Sequence, residues 1–101
     1  MSYKKFENTF QFLGGYFHQD FLFEFGEPEL AIKKYIEDTD EGTRTAVVRE
    51  LKQIIEEVTE QNLKGFILEE LGCYYNPQGI AVHDWLEWVV KEIEQSLILT
   101  R

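Results

Sequence analysis

Apolar residues recur at intervals of three and four along most of the chain, and the polar residues between them divide it into helical segments. Phe6, Phe10 and Leu13 share a face, with Lys4, Lys5, Glu7, Asn8 and Gln11 between them. This spacing predicts a short first helix ending at Gly14 and Gly15. In the following segment Phe21, Phe23 and Phe25 alternate with Leu22 and Glu24. A short strand fits this alternation, but apolar residues on both faces favour an extended linker packed on helices. Gly26-Glu27-Pro28-Glu29 then reads as a helix start, because proline is tolerated in a first turn and carboxylates complement the positive end of the helix dipole. The second helix is predicted over roughly 27–37, with Leu30, Ala31, Ile32, Tyr35 and Ile36 apolar. Lys33 and Lys34 face solvent, and Glu29 is placed to pair with Lys33.

The strongest periodicity follows the acidic joint EDTDEGTR. Val47, Val48, Leu51, Ile54, Ile55 and Val58 form a largely β-branched stripe, and Glu50, Lys52, Gln53, Glu56, Glu57 and Glu60 are read as its solvated, acidic opposite side. Asn62 marks the end of this third helix or the start of a fourth, which carries Phe66, Ile67 and Leu71 and stops at Gly72. Asn76, Pro77 and Gly79 supply turn chemistry. Val82, Trp85, Leu86, Val89, Ile93 and Leu97 then mark the buried face of a fifth helix, on which Glu87 and Lys91 are spaced to pair. The predicted fold is all-α, a small irregular bundle of about five helices with short connections, in a single domain over residues 1–101.

Composition narrows the function classes. A chain of 101 residues supports one modest core and no separate catalytic and substrate domains. Nineteen acidic against ten basic residues give a net charge of −9, which disfavours direct nucleic-acid binding and suits a basic partner. With Cys73 as the lone cysteine, neither an internal disulfide nor a CxxC pair can form, and a reducing, cytoplasmic setting is expected. No segment reads as a signal peptide or a membrane span.

Candidate chemistry is thin. His18, Asp20, His83 and Asp84 could be gathered into a metal site, but there is no HExxH and no histidine pair at i, i+4, so no metal or cofactor is expected. Asp20 and Glu24 lie four apart among phenylalanines, a weak acid/base signal in so acidic a chain. Ser2 and Ser96 sit near the termini without GxSxG, and Cys73 beside Tyr74 reads as a small buried hydrophobe. Gly14-Gly15 lacks every phosphate-loop pattern. The chain is expected not to be an enzyme.

What stands out is charge. Glu24, Glu27, Glu29, Glu37, Asp38, Asp40 and Glu41 oppose only Lys33 and Lys34 within eighteen residues. Such a surface serves solubility, or it captures a cationic protein with Tyr16, Tyr35, Tyr74 or Tyr75 as aromatic anchors.

Three segments, LGGYFHQDF (13–21), GEPELAIKKYI (26–36) and GIAVHDWLEWV (79–89), together resemble the immunity proteins of bacterial contact-dependent growth inhibition systems. Tyr16, Phe17, His18, Gln19 and Asp20 match the family's Tyr-Phe-His-Gln-Asp block, and Trp85 and Leu86 match its late Trp-Leu pair. The resemblance implies a small helical protein that binds and neutralises a cognate toxin domain. Many such toxins are nucleases, and a cationic nuclease would make the acidity intelligible, with inhibition by covering its active site or substrate path. Because the family shares the block across different toxins, the block is expected to maintain the fold, with Tyr16 and Phe17 packed and His18, Gln19 and Asp20 organising a turn. Toxin contact is then expected at Glu24, Glu27, Glu37, Asp38, Asp40 and Glu41, anchored by Tyr74 or Tyr75. The physical features alone equally suit an acidic adaptor, antitoxin or other regulatory module for a different basic protein. They leave the oligomeric state open.

Overall fold

A computed structural model describes residues 6–18, 26–69, 71–73 and 79–99. Over these residues the chain forms five α-helices and no strand: α1 (Glu7–Tyr16), α2 (Pro28–Asp38), α3 (Glu41–Glu57), α4 (Glu60–Glu69) and α5 (Val82–Leu99). The expected all-α architecture is therefore observed. The alternating Phe21–Phe25 stretch and most of the loop before α5 lie outside the described residues.

The two most strongly patterned helices form the centre. α3 and α5 are the most extensively packed pair, with α1 laid on α3, and α2 and α4 on α5. They run antiparallel: Arg44 at the start of α3 donates to Ser96 Oγ near the end of α5 at 2.9 Å, Lys52 reaches Glu94 at 2.8 Å, and the Val58 carbonyl lies 2.9 Å from His83 Nε2. Val47, Leu51 and Ile54 on α3 and Trp85, Leu86, Val89 and Ile93 on α5 are buried, as their spacing predicts. Phe12, Leu13 and Phe17 fill the layer above.

The helix ends are set by local chemistry. Asp40 Oδ1 accepts the Thr43 N–H at 2.8 Å and caps α3. Gly72 (φ +69) ends the α4 segment in a left-handed cap, where Gly72 N–H reaches the Leu68 carbonyl at 3.2 Å and Cys73 N–H the Ile67 carbonyl at 2.9 Å. The glycine expected to stop the fourth helix does so.

Three sequence expectations are corrected. α1 does not end at Gly14-Gly15 but runs through both to Tyr16. At Gly14 a Cβ would stand 3.4 Å from the Leu71 carbonyl oxygen, at van der Waals contact, so the turn after α4 packs directly against the α1 backbone there. α3 stops at Glu57, and Asn62 lies inside α4, folded back on Thr59. Glu50, assigned to the solvated side, is buried at 7% exposure and caps α1 from a distance. Its Oε1 accepts the Thr9 N–H at 2.9 Å and its Oε2 accepts from Asn8 Nδ2 at 2.8 Å. Phe6, at the N-cap of α1, has no side chain for this task, and a carboxylate imported from α3 satisfies an amide the helix itself leaves open.

Candidate functional site

Four of the predicted contact residues come together at the corner between α2 and α3. Glu37 and Asp38 end α2, Asp40 caps α3 and Glu41 opens it, and all four side chains are exposed. Thr39 holds the corner by donating its hydroxyl to the Tyr35 carbonyl at 2.6 Å. Glu37 and Asp38 occupy the negative end of the α2 dipole, and no basic residue stands in that last turn. Helix electrostatics therefore disfavours carboxylates at the site where this chain places two.

Asp38 is the organised member of the group. Its Oδ2 accepts the Tyr16 hydroxyl at 2.7 Å, and its Oδ1 lies 3.3 Å from Lys34 Nζ. The tyrosine hydrogen bond, with Lys34 assisting, holds the carboxyl below its usual range. Burial and the Asp38 carboxylate push the Tyr16 phenol up to about 12. Asp40 is likewise held low, first by the Thr43 backbone N–H. These two carboxylates carry structural duties as well as charge.

The remaining predicted residues are placed differently. Glu27 is exposed at the other end of α2, about 16 Å away along an eleven-residue helix, so the acidic run does not form one continuous patch. Glu24, Tyr74 and Tyr75 lie outside the described residues. Tyr35, considered as an anchor, is buried at 3% exposure against Phe12 (ring centroids 4.3 Å apart), because its spacing with Ala31 and Ile32 turns it inward. Burial, reinforced by the Tyr16 phenol, raises its pKa above the usual tyrosine range.

Phe17 of the Tyr-Phe-His-Gln-Asp block and Trp85 of the late Trp-Leu pair meet in the core. Phe17 is fully buried and packs edge-on against Trp85 (5.3 Å, 87°) and Phe12 (5.7 Å, 88°), while Leu86 is fully buried. Tyr16 is half-buried, tilted against Phe12 and edge-on to Tyr35 at 5.3 Å. His18 is half-buried, and Gln19 and Asp20 lie outside the described residues. A family model for the CdiI immunity protein matches residues 5–93. The chain belongs to the CdiI immunity protein family. One chain of a CdiA-CT/CdiI complex crystal structure from Y. kristensenii 33638 shares the fold of this family member, with a TM-score of 0.83. It is 23% identical, and the match covers 91% of this chain and 96% of that one. No curated protein matches.

The family member also carries buried and capping polar contacts beyond those expected from its sequence. Arg44, 6% exposed, spans from the Asp40 carbonyl to Ser96. Glu60 receives the Val82 and His83 backbone N–H groups at 3.0 and 2.8 Å, capping α5 as Glu50 caps α1. These bonds hold the Glu60 carboxyl below its usual range, the His83 N–H contributing most. Glu50 was findable, since it sits three residues after Val47 and four before Ile54 on the buried stripe. Arg44 carries the same signal, three residues before Val47 and four before Val48, whereas Glu60 lies beyond the end of that stripe. Among the described residues no three His, Cys, Asp or Glu side chains gather as metal ligands, and no helix is long and apolar enough to cross a membrane.

Proposed function

We propose that this protein binds and neutralises the toxin domain of a contact-dependent growth inhibition system inside the cell, and that the toxin is a basic nuclease whose active site or substrate path it covers. The family match over residues 5–93 carries the reading. The resemblance in fold to a chain crystallised in a CdiA-CT/CdiI complex supports a toxin domain as the partner. The corner of Glu37, Asp38, Asp40 and Glu41 supplies the charge to steer toward a cationic surface. Neutralisation on this reading is stoichiometric binding rather than catalysis.

The structure dictates how the corner should be tested. Reversing Asp38 or Asp40 would also break the Tyr16 hydrogen bond or the α3 cap, so lost protection would be ambiguous. Glu37→Lys changes only an exposed side chain in the last turn of α2, where a cation suits the helix dipole. This variant should fold as well as the parent and associate more slowly with the toxin domain, with the difference shrinking as salt rises. Unchanged association kinetics for both Glu37→Lys and Glu41→Lys would remove the corner from the interface.

A further inference from the structure

One strip of the surface departs from the general acidity. A groove of about 350 Å³ runs between α3 and α5, lined by Lys52, Ile55, Glu87, Val90, Lys91 and Glu94. Along α5 the charges alternate in sign through Glu87, Lys91 and Glu94, at offsets of 0, 4 and 7, so they share one face. One turn further, at offset 11 on that face, stands Ile98, 71% exposed. Lys52 crosses from α3 to Glu94 at 2.8 Å and fixes that carboxylate at the groove edge. Glu87 and Lys91, whose spacing suggested a pair, make no ion pair among the described residues and keep their charges available.

We propose that this strip is a contact between two copies of the chain, packed as an antiparallel α5–α5 pair about a twofold axis. The sequence of charges is complementary to itself when reversed. With the axis beside the midpoint of Lys91 and Glu94, each Lys91 faces Glu94 of the second copy. The same register sets each Ile98 at the Glu87 turn of the second copy, where Ile55 and Val90 form the apolar floor of the groove. The strip is about 16 Å long, three turns of helix.

Charge selects this occupant. Two copies carry −9 each and repel wherever carboxylates face carboxylates, but at physiological salt charges beyond about 8 Å are screened and the local pattern decides. A strongly cationic partner would meet Lys52 and Lys91 here and finds better sites elsewhere on the chain. One helix pair buries less than the roughly 1,000 Å² of a stable interface, so the association is weak and dependent on concentration.

Sedimentation equilibrium of the full chain over about two decades of concentration tests the contact by mass action. The weight-average mass should rise from one copy toward two. Lys91→Glu alone and Glu94→Lys alone should each stay monomeric. An equimolar mixture of the two should associate, because each supplies the charge the other now needs. Ile98→Asp should weaken association at least tenfold, and circular dichroism should show unchanged helicity in every variant. A single-copy mass at all concentrations, or reversals that leave association unchanged, would overturn the proposal. So would a monomeric parent whose Ile98→Asp variant loses toxin protection, which would assign the strip to the toxin.

Discussion

Replacing Glu50 by alanine tests the least expected piece of the fold. If Glu50 were a solvated helix-face residue, as its neighbours Lys52 and Gln53 suggest, the change would cost within about 0.5 kcal/mol, since alanine is the better helix former. The structure instead has its carboxylate accept the Thr9 N–H at 2.9 Å and the Asn8 amide at 2.8 Å. Hydrogen bonds to a charged group contribute about 1.5–3 kcal/mol each, and a buried N–H left open costs about 1–3 kcal/mol, offset in part by the cost of burying the carboxylate. A net loss of about 3 kcal/mol follows for Glu50→Ala, or more than about 10 °C in Tm for a domain of this size. Glu50→Gln keeps an acceptor for Thr9 and should lose about 1 kcal/mol. Urea denaturation with unchanged m measures both. In a double-mutant cycle with Asn8→Ala, the Asn8 contribution should vanish once Glu50 is alanine. A Glu50→Ala loss below 0.5 kcal/mol would refute the remote cap.

Other outcomes follow from the same contacts. Gly65 lies in α4 with open space where a Cβ would stand, so Gly65→Ala should stabilise by about 0.5–1 kcal/mol. Gly72→Ala, at φ +69 and 3.4 Å from the Gly14 Cα, should destabilise by more than about 1 kcal/mol, and thermal melts of the pair should move in opposite directions. The Glu60 carboxyl is depressed below 4.5, so its stabilisation is present above that pH and is lost as pH falls through the lower folded value. Glu60→Gln should therefore flatten the acid limb of Tm against pH. Tyr16 should hold its proton to about pH 12 in an ultraviolet titration, and Tyr16→Phe should remove that late step while letting the Asp38 carboxyl titrate higher by NMR.

The apolar spacing made the five helices, the α3 and α5 stripes and the stop at Gly72 legible, because burial of one helical face repeats on a fixed period. What it missed is polar and non-local. Glu50 reads as a surface residue until α1 is seen to need an acceptor, and Glu60 as an extension of α3 until the bare amides of Val82 and His83 are placed over it. Gly14 reads as a stop until the turn after α4 is found against it. For the candidate site, adjacency in sequence guaranteed that Glu37, Asp38, Asp40 and Glu41 would share a corner. The helix predicted over 27–37 likewise set Glu27 and Glu37 at opposite ends, and only the fold shows Tyr16 bonded to Asp38. The Tyr-Phe part of the shared block is thus fastened both to the core, through Phe17 and Trp85, and to the acidic corner.

Toxin neutralisation is tested most directly by titrating the purified protein into a nuclease assay of its cognate toxin domain. Toxin activity should fall linearly and reach its end sharply at one immunity protein per toxin, with no turnover by the immunity protein itself. Full toxin activity in the presence of excess folded protein would contradict it.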